Sequence, residues 1–277
     1  MATAGERVRG SIHELGAALA DLLLPRVCAG CGLPGALLCR SCARLFTEPH
    51  LAQPRRFPTG FPPTVAAAVY TGPVRPAVNA FKEHGRAELA RPLGAALALA
   101  VGAVRAGVGR AGPVGPVVLV PLPATRAALR TRGRDQVAEL AHSAGAELRA
   151  AGVPTETVRA LRRTGRVADS AGLSAAERRS NLAGSFGPAP GVVVPAGAVL
   201  VLVDDVVTSG ATLTEAATAL TAARGRADTP VLAAVVAATP RRLAHRDPGT
   251  HLGRRRPWSL GGDAGSGRGL SGRSEGD

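Results

Sequence analysis

Between residues 65 and 240, short apolar runs alternate with longer segments in which apolar positions recur at helical spacing. The run Val199 to Val203 is rich in β-branched residues and has no polar alternation, which predicts a central strand covered on both faces. Val117 to Val120 is a second buried run, and Val65 to Tyr70 and Val231 to Ala237 read as further strands. Arg75 to Phe81, Glu88 to Val104, Asp135 to Ala151 and Leu213 to Ala223 read as the intervening helices. Strands alternating with helices imply an α/β fold, a mainly parallel sheet flanked by helices.

The pattern also sets boundaries. Ile12 to Leu24 reads as a short amphipathic helix, with packing against the main domain or membrane attachment as its two roles. Together with the cysteines after it, this helix forms an N-terminal module over residues 1–46. Prolines and arginines without periodicity make 47–64 a linker, and 65–240 is the main domain. Within it, the arginine-rich segment Arg159 to Arg179 has the polarity and glycine content of a mobile connection. Glycine, serine and arginine from Arg241 onward describe a disordered basic tail over 241–277.

Chemistry concentrates after the central strand. Asp204 and Asp205 follow Val203, at the strand end where open α/β sheets bind ligands. Thr208, Ser209, Gly210, Ala211 and Thr212 then form a loop of small residues ahead of a helix. Such a loop suits a phosphate: amides, hydroxyls and the helix dipole converge on one anion, and glycine permits close backbone approach. The carboxylates would accept hydrogen bonds from the vicinal hydroxyls of a ribose. The plainer alternative is a strand, turn and helix in which the aspartates only cap the helix.

Cys28, Cys31, Cys39 and Cys42 form two Cys-x-x-Cys pairs separated by seven residues. Four thiolates satisfy tetrahedral zinc, and Gly30 and Gly32 permit the turn around the first pair. Two disulfides or four free thiols are the alternatives. With no open ligand position or adjacent base, the ion would be structural.

The net charge of +14 favours polyanionic partners such as nucleic acid or phosphorylated metabolites, although a solvated basic surface fits equally. Aromatic residues are only 3% of the chain and scattered, which gives no base-stacking stripe. Neither an integral membrane segment nor a signal peptide is evident, so a cytoplasmic location is expected. Lys82, the sole lysine, reads as a solvent-facing helix position, with a pocket contact as the alternative.

The run Val199 to Leu213 resembles the phosphoribosyl pyrophosphate (PRPP) motif of type I phosphoribosyltransferases. Joined to an N-terminal four-cysteine module, it resembles the ComF family of competence-associated proteins. Val120-Pro-Leu-Pro-Ala-Thr-Arg126, Arg132-Gly-Arg-Asp-Gln136 and Arg178-Arg-Ser-Asn-Leu-Ala-Gly-Ser-Phe186 resemble further family segments. Arg134 and Asp135 stand where the family has Phe-Asn, and Asp169 where a glutamine is common.

The resemblance implies a type I phosphoribosyltransferase-like fold with a small zinc-binding module. By that likeness Asp204 and Asp205 would orient ribose, Thr208 to Thr212 would hold its 5′-phosphate, and Arg126 would contact pyrophosphate. Arg130, Arg132 and Arg134 are further arginine candidates. The function implied is DNA uptake or competence, exercised through binding or regulation, with a helicase-like protein and DNA as partners. The alternative is an active phosphoribosyltransferase that transfers phosphoribosyl from PRPP to an unknown nitrogenous base, with Mg2+ bound to pyrophosphate and ribose oxygens.

Overall fold

The computed structural model describes residues 26–54, 58–108, 115–164, 184–195, 197–224 and 231–240. The helix expected over Ile12–Leu24, the tail from Arg241 and the family-like segment up to Ala183 lie outside them. The described strands are β1 (His50–Leu51), β2 (Thr64–Val69), β3 (Val117–Pro121), β4 (Thr155–Thr157), β5 (Leu161–Arg163), β6 (Phe186–Pro188), β7 (Val199–Val207) and β8 (Leu232–Ala238). The helices are α1 (Arg40–Arg44), α2 (Val74–Lys82), α3 (Ala90–Val108, preceded by a 3-10 turn at Ala87–Leu89), α4 (Arg126–Arg132), α5 (Gln136–Ala150) and α6 (Ala211–Arg224).

Six strands form one sheet in the order β1-β2-β8-β7-β3-β4, and β5 pairs with β6 in a separate antiparallel ribbon. Only β1 runs antiparallel within the main sheet; the other neighbours are parallel. Fold and sequence therefore agree on a mixed α/β architecture built on a mostly parallel sheet.

Alternation along β7 divides the core in two. Val199, Val201 and Val203 point to the face covered by α2, α3 and α5, where they meet Phe81, Leu97 and Leu140. Leu200 and Leu202 point to the opposite face, against Leu213 and Leu220 of α6 and against Leu161 and Phe186 of the ribbon. Both faces are dry, which is why β7 reads as an unbroken apolar run. The helix stretch Ala87–Gly107 is long and apolar enough to cross a bilayer, and half of that stretch is buried. Its apolar side packs Leu93, Leu97 and Val101 into the core against the sheet, which accounts for its composition without lipid.

Several short elements differ from the sequence expectation. The start of the supposed connection, Leu161–Arg163, is the strand β5, and residues 165–179 of it lie outside the described residues. Within 47–64, His50–Leu51 adds an edge strand to β2, and Phe61 packs on the loop at Gly210.

The connections create a switch point. From β3 the chain passes through α5, on one face of the sheet, to β4 on one side. From β7 it passes through α6, on the other face, to β8 on the other side. The β3 and β7 connections therefore diverge, opening a crevice beyond their carboxyl ends, the place where such sheets bind ligands.

Candidate ligand crevice and metal centre

β3 leaves the sheet at Pro121, which pairs with Val203, and the last bond between the strands runs from the Leu122 amide to the Val203 carbonyl at 3.0 Å. The next β7 residue is Asp204. β7 does not stop there as the sequence suggested: it stays paired with β8 through Val207. The carboxylates thus stand on a fixed strand, beside a gap that β3 has vacated.

Strand geometry sends the two side chains to opposite faces. Asp205 turns toward α2 and is only 5% exposed. Its Oδ2 lies 2.9 Å from Lys82 Nζ, and its Oδ1 accepts from Lys82 at 3.1 Å and from the Val206 amide at 2.6 Å. Lys82 is therefore a partner of the crevice and not the solvent-facing residue expected. Burial opposes the Lys82 charge, but Asp205, aided by Asp204, more than compensates and holds its pKa above the ordinary lysine value.

Asp204 turns to the ribbon side, its Oδ1 accepting from the Asp205 amide at 2.9 Å. Removal from water, then the adjacent Asp205 charge, pushes its carboxyl up to about 7, against partial opposition from Lys82 and Arg163. Arg163, which the sequence places in a mobile connection, is fixed: its Nε donates to the Pro123 carbonyl at 3.0 Å. Its guanidinium lies 4.6 Å from the Phe186 ring centroid and interacts electrostatically with Asp204. A fixed cation thus faces the crevice from β5, across from the carboxylate.

Beyond Val207 the loop expected to hold phosphate folds into α6. Thr208 and Ser209 are exposed, Gly210 is buried, and α6 begins at Ala211, with Thr212 in its first turn. Gly210 has φ +79°, and a Cβ there would meet Phe61 at 2.8 Å and Pro54 at 3.1 Å, so both space and backbone conformation demand glycine. The first-turn amides of α6 have no acceptor within the helix. Thr239, at the end of β8, pins the loop base by donating its amide to the Val207 carbonyl at 3.0 Å and its hydroxyl to the Thr208 carbonyl at 3.3 Å.

Arg126 is exposed on the first turn of α4, after Thr125 caps that helix by accepting from the Ala128 amide at 3.1 Å. The loop leading to it starts beside Val203, so it borders the same crevice. Arg132 and Arg134 are committed elsewhere: Arg132 pairs with Glu83 at 2.7 Å, and Arg134 pairs with Glu139.

A scan of the chain against protein-family models returns no match, and a search of curated proteins returns none. The site is defined by its own geometry.

At the other end of α2 lies the cysteine cluster. All four cysteines are free, and their sulfurs lie within 4.8 Å of one another, Cys31 and Cys39 being 3.7 Å apart. A tetrahedral zinc with sulfurs at about 2.3 Å has ligand–ligand edges of about 3.8 Å, so the four are positioned to bind one such ion. The turn after Cys28 brings the Gly32 amide to the Cys28 carbonyl at 2.9 Å, while Cys39 precedes α1 and Cys42 lies in it.

Burial alone would raise the Cys28 pKa, but the amides of Cys39, Cys31 and Gly30 outweigh it and bring the thiol down to about 6. Cys42 moves the other way, raised by burial and by the neighbouring sulfurs. An ion of charge +2 would let Cys42 ionise beside Cys28, because sulfurs crowded without a cation resist simultaneous ionisation.

Proposed function

We propose that this chain is a ComF-like protein whose crevice binds PRPP or a related phosphoribosyl ligand, and that it serves DNA uptake or competence through binding or regulation. The observation that carries this reading is the convergence at one switch point of Asp204, the Thr208–Thr212 loop and the loop leading to Arg126. The four-cysteine cluster adds the second half of the family resemblance, with zinc as a structural ion. On this reading the location is cytoplasmic, and a helicase-like protein and DNA are the partners.

In the bound state the 5′-phosphate lies against the first turn of α6, with the hydroxyls of Thr208, Ser209 and Thr212 and the nearby amides as donors. The ribose hydroxyls donate to Asp204 and to the lone-pair capacity left on Asp205. Arg126 and Arg163 flank the position of pyrophosphate, where a planar guanidinium engages several oxygens at once. Bound with the ligand, Mg2+ would neutralise pyrophosphate charge.

The second reading, an active phosphoribosyltransferase acting on an unknown base, is favoured by Arg163, a part-buried cation beside the carboxylate. Charge that accumulates on departing pyrophosphate would find it preorganised.

Calorimetric titration with ribose 5-phosphate and with PRPP plus Mg2+, on the parent and on the Asp204→Asn, Asp205→Asn double variant, tests the crevice. Loss of affinity by about tenfold or more in the variant is expected, because two charge-assisted acceptors are removed. Equal affinity would reject the assignment. Pyrophosphate release in the presence of a panel of bases separates transferase from binder.

A further inference from the structure

The motif Arg132-Gly-Arg-Asp-Gln136 has no direct part in the ligand site, yet three of its residues seize three consecutive residues at the end of α2. Arg134 stacks on Phe81, 4.5 Å from the ring centroid; Gln136 Nε2 donates to the Lys82 carbonyl at 3.2 Å; Arg132 donates to both oxygens of Glu83 at 2.7 and 2.9 Å. Gly133 allows the reversal between the arginines by taking φ +67°. Gln136 is itself buried, so its amide is fixed by the fold and does not sample solvent.

The residue at the centre of this clamp is Lys82. Its ammonium crosses to β7 and holds Asp205 by both oxygens. We infer that Lys82 is a positioning residue of the sugar-phosphate site: held at its own carbonyl by Gln136, and through its neighbours Phe81 and Glu83 by Arg134 and Arg132, it fixes the Asp205 carboxylate beside Asp204. The inference rests on the ribose-phosphate reading above and adds to it the residue that makes two adjacent acids tolerable on a covered strand.

The charge balance supports this role. Among the described residues, the charged groups facing Asp205 are Lys82 from α2 and Asp204 from its own strand, with Arg132 near Lys82 and Arg163 near Asp204. Lys82 is the only one of these cations bonded to Asp205. Without it, Asp204 would keep to still higher pH the proton it already holds up to about pH 7, and one hydroxyl acceptor would be lost over that range. A lysine suits the task because its compact charge can serve both oxygens of one carboxylate from a single nitrogen.

The test compares the parent with Lys82→Met, Lys82→Arg and Gln136→Met, measuring ribose 5-phosphate affinity by calorimetry between about pH 6 and about pH 9, with folding checked by thermal melts. Lys82→Met is expected to bind about tenfold more weakly near pH 7, with the deficit narrowing at the alkaline end as the trapped proton leaves. Lys82→Arg should stay within about threefold, since it restores the charge.

Removing one member of a buried pair can unfold a protein. Gln136→Met therefore carries the test if Lys82→Met does not fold: every charge stays, Lys82 is loosened, and a loss of about threefold is expected. Parent-like affinity and pH profile in a folded Lys82→Met variant, or in Gln136→Met where that substitution carries the test, would overturn the role of Lys82. Failure of the parent to bind ribose 5-phosphate would instead remove the reading beneath it.

Discussion

Asp204 has a carboxyl near 7 in the folded chain, against 3.8 for an ordinary aspartate, and the sign of its effect on stability follows. The folded state keeps a proton that the unfolded chain has released, so stability contributed by the protonated form is lost as pH rises from about 4 to about 7. Asp204→Asn carries an amide at every pH and escapes that loss. Urea melts at about pH 5 and about pH 8 should show the parent losing on the order of 1 kcal/mol or more relative to the variant. Cys28 also titrates near 6, but it is common to both proteins and cancels. Parallel pH dependences would show that Asp204 is ionised in the fold and that its neighbours dominate over its burial.

At the scale of elements, α2 joins two chemistries. Its start abuts the cysteine cluster: a Cβ at Gly30 would lie 2.8 Å from Cys42 Sγ and 3.0 Å from the carbonyl of Pro73, the residue before the helix. Gly30→Ala should therefore displace Cys42 and lower zinc affinity by about tenfold, the range seen when the surroundings of metal ligands are disturbed. Competition with a chromophoric chelator measures it, and unchanged affinity would mean that the helix and the cluster can part without cost. The large elements were legible in the sequence because each repeats its signal: five apolar residues of β7, Val199 to Val203, and fifteen residues of α5 with Asp135 at its cap; the rest of β7 was hidden because Asp204 and Asp205 interrupt the apolar run. The ribbon was not, since three residues such as Leu161-Arg-Arg163 are too few to show alternation. Nor was the Lys82–Asp205 pair, whose members are 123 positions apart and meet only through the crossover. Asp204, Asp205 and the following loop were legible because strand, acids and loop are contiguous; Arg163 was hidden by its arginine-rich neighbours.

For the molecule as a whole, the charge of +14 and the ligand crevice make separable demands on salt. A crevice that engages one sugar phosphate contacts few anionic oxygens, whereas a basic protein lying along double-stranded DNA displaces counterions from many phosphates. If the basic surface serves DNA, raising salt from about 50 to about 200 mM should weaken duplex binding about a thousandfold, while ribose 5-phosphate affinity falls by no more than about tenfold. Fluorescence anisotropy on a short duplex, with and without saturating ribose 5-phosphate, measures the first, and calorimetry at the same salt concentrations measures the second. Duplex affinity unchanged by the sugar phosphate would place DNA on a surface apart from Asp204 and the loop after it, as a binding or regulatory protein requires. Competition would put the polyanion in the crevice itself, and absence of duplex binding at low salt would leave the positive charge to the phosphorylated ligand alone, which favours the transferase.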